Sequence, residues 1–109
     1  MFKIFTTEEF DRDFDSLDAS EQYRVRKIRN QLQERGDEVG KPLSGIPVFK
    51  EKKFNGKRIF FLVYNKFSVV LLLAITNKKA QQATINKILL ELTEYEHFVM
   101  EQLKKQGLI

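Results

Sequence analysis

Cysteine and tryptophan are absent from the 109 residues, histidine occurs once and proline twice. Without Cys there is no disulfide and no thiolate metal site, and the chain needs no oxidising compartment. His97 alone cannot build a His-based metal centre. Asp11, Asp13, Asp15 and Asp18 lack the spacing of metal ligands and read as a solvated helix face. Long hydrophobic runs are missing too. The longest, Val69 to Ile75, falls far short of the roughly 20 apolar residues that span a bilayer. Met1-Phe2-Lys3-Ile4-Phe5 gives way at once to Thr6-Thr7-Glu8-Glu9, too short a stretch for a signal peptide. The expectation is a cytoplasmic protein with no metal, no cofactor and no membrane partner.

What is present suits one small domain over residues 1–109. Hydrophobic residues make up 42% and charged residues 31%, enough apolar matter for a core. Ten Phe and three Tyr supply much of it. Most of these aromatics are expected in the core, with Phe60 also placed to stack on a base and Tyr64 at a strand end. The net charge of +4 favours an anionic partner.

Lys3 to Phe5 predicts a short strand. Thr6 and Glu9 have capping-box spacing, and Phe10, Phe14 and Leu17 follow as one apolar stripe. Asp18 and Glu21 give a second capping signal before a helix that turns Val25, Ile28 and Leu32 inward and Arg24, Lys27, Asn30 and Gln31 to water. Gly36 is its expected stop. Val39 to Pro47, with two Pro and two Gly, reads as an ordered connection. Three strands follow, at Val48–Phe54, Arg58–Tyr64 and Ser68–Thr76. Asn55-Gly56 between the first two is a strong hairpin signal. The third is almost wholly apolar, as a strand buried on both faces would be. From Asn77 the period turns helical through Ile85, Ile88, Leu89, Leu92, Val99 and Leu103, predicting one long helix to about Gln106. The expected fold is α+β: an N-terminal strand and helical hairpin, a three-stranded antiparallel meander and a long C-terminal helix. The helices are expected on one face, leaving the other solvated or bound.

Lys50, Lys52, Lys53, Lys57 and Arg58 crowd the hairpin, opposed only by Glu51. Lys78 and Lys79 sit where the last strand meets the last helix, at the level where Arg58 begins its strand. Cleavage of RNA by its own 2′-hydroxyl needs a proton acceptor, a cation for the phosphorane and an acid for the leaving oxygen. Arg suits the second role because its fork matches phosphate oxygens. Lys serves as a base only when other cations lower its pKa. The competing reading is a solvated hairpin whose Lys residues block edge aggregation. Two registers are open. A two-residue turn sets Lys53 opposite Arg58 and on the face of Glu51. A three-residue bulged turn gathers Lys50, Lys52 and Arg58 on one face and Phe49, Ile59 and Phe61 on the other. The second sorts charge from apolar surface better and is the expectation, with Arg58 exposed.

Pro42-Leu43-Ser44-Gly45, Phe49-Lys50-Glu51-Lys52-Lys53-Phe54, Gly56-Lys57-Arg58-Ile59-Phe60-Phe61 and Leu71–Thr76 with Asn77-Lys78-Lys79-Ala80-Gln81-Gln82 together resemble the RelE/ParE toxin superfamily. The resemblance implies the toxin of a type II toxin–antitoxin pair. RelE-like members cut messenger RNA on the ribosome. ParE-like members inhibit DNA gyrase, and a non-catalytic partner-binding member is the third reading. It also implies a cognate acidic antitoxin and a metal-free catalytic set. In that set Arg58 contacts the scissile phosphate, Lys50, Lys52 and Lys53 form the basic strand before it, and Lys78 or Lys79 stands for an arginine after the last strand. The sequence departs from the pattern in three ways. Ala83-Thr84-Ile85-Asn86 holds no aromatic or His where RelE-like enzymes often have one. The basic residues after the last strand are Lys, not the fork-shaped Arg; the last helix is also longer than in minimal members.

Overall fold

A computed structural model describes all residues, 1–109. β1 is Lys3–Thr6, α1 Glu8–Asp15, α2 Ala19–Arg35, β2 Lys41–Leu43, β3 Ile46–Phe54, β4 Lys57–Tyr64, β5 Val69–Asn77, α3 Gln81–Leu90 and α4 Leu92–Lys105. The five strands form one sheet in the order β1-β5-β4-β3-β2. Only the β1–β5 pair is parallel; the other pairs are antiparallel.

Local chemistry sets most of the boundaries. Thr7, not Thr6, caps α1: its Oγ1 accepts from the Phe10 N–H at 3.0 Å and donates to the Leu73 carbonyl at 2.8 Å. Thr6 instead ends β1, paired with Leu72. Asp18 and Glu21 form the expected capping box, each side chain taking the other's backbone N–H. α2 buries Val25, Ile28 and Leu32 and exposes Arg24, Lys27, Asn30 and Gln31. Gly36 ends it with φ +49, and a Cβ there would lie 2.1 Å from the Phe2 ring. Only glycine satisfies both the dihedral and the close approach. Asn55 and Gly56, and likewise Ser44 and Gly45, have positive φ at both positions of two-residue hairpin turns.

Three expectations are corrected. The segment Val39 to Pro47 is not a plain connection, because β2 forms within it and the Ser44-Gly45 turn leads into β3. The C-terminal helix is two helices that break at Glu91, whose φ −114 and ψ 14 are not helical. Apolar spacing continues across this break, so nothing in the pattern marks it. Finally, the helices cover both faces of the sheet. Phe10, Leu17, Val25, Ile28 and Leu32 of the α1–α2 region pack with Phe54, Ile59, Phe61, Val63, Val70 and Leu72. Ile85, Ile88, Val99 and Leu103 of α3 and α4 pack with Phe49, Phe60, Leu62, Val69, Leu71 and Leu73 on the other side. Alternate strand residues thus feed two cores, as period-two geometry requires.

β1 pairs only with the first half of β5, Val69 to Leu72. Beyond it, α1 takes over the exposed edge. Thr7 bonds the Leu73 carbonyl, and Asp13 Oδ2 accepts the Ile75 N–H at 2.9 Å. Burial pushes the Asp13 carboxyl above its ordinary value, against the lowering effect of that bond. The ladder between β4 and β5 carries a bulge: Phe60 pairs with Ala74 and Phe61 with Leu72, leaving Leu73 extra.

Candidate functional site

The two-residue turn fixes the register of the basic hairpin. Lys53 pairs with Arg58, and Arg58 pairs with Thr76 of β5. These three residues make one transverse row on the α3–α4 face. The next row along the sheet is Ala74, Phe60, Glu51 and Lys41. The bulged-turn register is therefore corrected: Lys50 and Lys52 point to the α1–α2 face, opposite Arg58.

Lys50 is 6% exposed. Its ammonium lies 2.9 Å from Asp37 Oδ1 and also bonds the Asp37 carbonyl, tying the short 3-10 turn Gly36–Glu38 to β3. Lys52 is half-buried on the same face. Neither joins Arg58. Lys57 pairs with Glu21 of α2 at 3.3 Å. Lys53 is exposed on the face of Arg58. Lys78 and Lys79 are exposed in the turn after β5, and the Lys57–Asn77 pair brings that turn to the hairpin end of the sheet.

Arg58 is not exposed, as the sequence suggests, but 8% exposed. Its Nε lies 3.0 Å from Oε1 of Glu51, which is itself 3% exposed. The Nε–H is not directed along that contact and has no hydrogen-bond acceptor. Gln81, the first residue of α3, donates to the same Oε1 at 3.1 Å. Thr76 Oγ1, across the strand pair from Arg58, is buried with no partner. The site is thus a buried Arg–Glu pair, covered from α3 by Gln81, with two polar groups left unspent. Lys53, Lys78 and Lys79 stand exposed around it.

Around the buried pair the surface is polar, and a hollow beside Thr76 is lined by Lys57, Asn77 and Ala80 among others. A hollow of about 330 Å³ lies at the other end of β5, lined by Met1, Lys3, Lys66, Phe67 and the C-terminal residues among others. A wholly polar hollow beside Glu51 is lined by Glu38, Gly40, Lys41, Lys52 and Lys53. Glu51, Thr76 and Gln81 lie inside the stretches that carry the resemblance without being singled out there, and Lys41 lies outside them. The one signal is parity: with a two-residue turn, Glu51 must share a face with Lys53 and Arg58. His97 is exposed on α4, and Tyr64 is half-buried with burial raising its hydroxyl pKa.

No protein-family profile and no curated protein matches the chain. Solved structures do. The isolated RelE toxin of E. coli superposes with a TM-score of 0.64 at 15% identity, over 81% of this chain and 99% of that one. The RelBE2 toxin–antitoxin complex of Mycobacterium tuberculosis gives 0.62 at 18%, over 71% and 98%. The RelB–RelE antitoxin–toxin complex of Methanococcus jannaschii gives 0.60 at 12%, over 73% and 96%. The chain has the RelE fold. Within this RelE fold the basic row lies at the C-terminal end of β5, where α3 begins. At these identities the likeness speaks to the arrangement of strands and helices, and the chemistry must be argued from the residues.

Proposed function

We propose that the chain is the toxin of a type II toxin–antitoxin pair and that its free form cleaves messenger RNA at the ribosome. The observation that carries this reading is the row Lys53–Arg58–Thr76, bordered by Lys78 and Lys79, on a RelE fold. A phosphate on the row meets the exposed lysines first; the buried Arg58 Nε–H and Thr76 hydroxyl, both without a hydrogen-bond partner, are the groups its oxygens would satisfy once the guanidinium turns outward. In the reaction the 2′-oxygen bonds to phosphorus, the bond to the 5′-oxygen breaks and a cyclic phosphate remains. The proton leaves the 2′-hydroxyl for a base, and an acid supplies one to the 5′-oxygen. Arg58 is assigned the phosphorane charge, and the exposed Lys53, Lys78 and Lys79 the surrounding field. Glu51 competes with the phosphate for Arg58, so binding must draw the guanidinium out of that pair. The cytoplasm, where ribosomes are, is the site of action. The solved RelE-fold toxins in complexes with RelB support an antitoxin as the resting partner, acidic to match the +4 chain.

A second reading rests on the burial of Arg58 and its neutralisation by Glu51. A member with its phosphate-binding Arg so occupied would bind a partner without cutting RNA. Inducible expression in a bacterial host separates the readings, with primer extension on an abundant transcript. The comparison is wild type beside Arg58→Lys and the triple variant Lys53→Ala, Lys78→Ala, Lys79→Ala. Expected are growth arrest and new cuts inside translated regions, weakened in Arg58→Lys and lost in the triple variant while circular dichroism stays native. Undiminished cutting by a folded triple variant would refute the assignment of the row. Arrest with intact transcripts and cleaved DNA complexes would indicate a gyrase inhibitor, and absence of arrest a partner-binding protein.

A further inference from the structure

Most of the chain's excess positive charge lies on α2, across the sheet from the row. α2 carries five cations, Arg24, Arg26, Lys27, Arg29 and Arg35, against two carboxylates, for a net +3 of the chain's +4. All five are exposed, and none lies within ion-pair distance of a carboxylate. Glu21 is already engaged by the Asp18 N–H and by Lys57. α2 packs against the sheet face opposite Arg58. Two of the cations are partly fixed: Lys27 sits 5.0 Å from the Tyr23 ring centre and Arg26 5.9 Å from that of Phe14.

We propose that the outer face of α2 binds the phosphate backbone of an RNA duplex, independently of sequence and separately from the basic row. Arg24, Lys27 and Arg35 run along one flank with Gln31 between them. At a rise of about 1.5 Å per residue they span about 16 Å. A rigid track of donors suits a regular double-helical backbone, which presents phosphates at short, fixed intervals. Single strands are bound by stacking bases on aromatic platforms. α2 exposes one aromatic, Tyr23, and Lys27 lies over it. A protein partner would need apolar anchors at the centre of its contact. The outer face of α2 offers cations and amides around that lone Tyr. The inference stands whether or not Arg58 cuts RNA, and its test does not depend on cleavage.

The test is fluorescence anisotropy of the full chain with a labelled RNA duplex of about 16 base pairs, titrated at salt concentrations from about 50 to 200 mM. Wild type is compared with Arg24→Gln, Lys27→Gln, Arg35→Gln, and with Lys53→Gln, Lys78→Gln, Lys79→Gln. Gln keeps helix propensity close to that of the residues replaced, and unchanged circular dichroism and melting verify the fold. Each phosphate contact adds about 0.9 to the slope of log affinity against log salt, so the α2 variant should lose about 2 to 3 units of slope and about tenfold or more in affinity. The row variant should lose clearly less. An unchanged slope in the α2 variant overturns the proposal, as does an equal loss in both variants. Duplex binding intact while binding of polyglutamate is lost would overturn it as well, making the face a dock for an acidic protein.

Discussion

Replacing Arg58 with Met removes one partner of a pair that water scarcely reaches: Arg58 is 8% and Glu51 3% exposed. The Glu51 carboxylate would stay buried with only Gln81 to bond it. Breaking a buried pair on one side costs about 3–5 kcal/mol, since the stranded charge keeps its desolvation penalty. Two details place this case near about 3 kcal/mol, at the lower end. The Arg58 Nε–H is not aimed at Glu51, and Gln81 still supplies one donor after the change. Glu51→Met should cost a similar amount. The double variant, apolar on both strands, should come within about 1 kcal/mol of wild type, because two matched hydrophobes escape the desolvation altogether. Urea unfolding followed by circular dichroism measures all four corners. With a slope of about 1.5 kcal/mol per molar, each single variant should lower the midpoint by about 2 M. The coupling energy should be several kcal/mol. Single variants that each cost under about 1 kcal/mol and simply add would refute the reasoning. Arg58 would then be a free surface cation. The same arithmetic explains why Arg58→Lys is the better variant for RNA cutting: it keeps the charge beside Glu51 and removes only the fork.

Two further predictions concern residues around the site. Asp13→Ala leaves the Ile75 N–H without its acceptor and should cost about 1–3 kcal/mol, whereas Asp13→Asn keeps an oxygen there and should cost little. Because burial raises the Asp13 pKa above 3.8, the native state holds more protons just above that pH. Its contribution to stability therefore falls as pH rises through the window. Asn should flatten that stretch of a pH–stability curve, and an unchanged curve would contradict the reading. Lys50→Met should leave RNA cutting intact, since its ammonium holds Asp37 on the face away from Arg58. It should instead loosen the Gly36–Glu38 turn, read as faster amide exchange there. Loss of cutting in a folded Lys50→Met would return Lys50 to the catalytic set.

Much of this fold was legible because local chemistry and tertiary packing agree. The Asp18–Glu21 box, the stripe Val25, Ile28, Leu32 and the Asn55-Gly56 turn all stand where the sequence places them. Elements were missed where a short signal was outvoted. β2 hides because Pro42 is its middle residue, though Ser44-Gly45 between Leu43 and Ile46 is a hairpin dipeptide. Cover on both faces was implied by the apolar run of β5, since a strand buried on both sides needs packing on both. The observed register departs from the charge-sorted one for a physical reason. Sorting charge from apolar surface presumes that charges sit in water. Here Lys50 and Arg58 are buried on opposite faces because Asp37 and Glu51 meet them there. Asp37 comes from a turn after α2, so no local pattern announces it. The candidate row was half legible: Lys53, Arg58, Lys78 and Lys79 stand out as charge, while Thr76 and Gln81 join only through pairing and the docking of α3.

The extra residue in β5 has a consequence for how this strand tolerates change. Up to Leu72, even-numbered side chains face α2; after Leu73 the odd-numbered Ile75 does. The strand is therefore two half-strands written in different reading frames. Deleting Leu73 would restore strict alternation while leaving Ile75 in its core and Thr76 beside Arg58, at the loss of one Leu from the α3–α4 core. Every point substitution in β5 leaves both frames intact, and so does removal of the bulged residue itself. A one-residue deletion at the bulge is thus a length change this end of the sheet is built to absorb, whereas a further insertion there would have to be taken up by a second bulge or by turning a half-strand over.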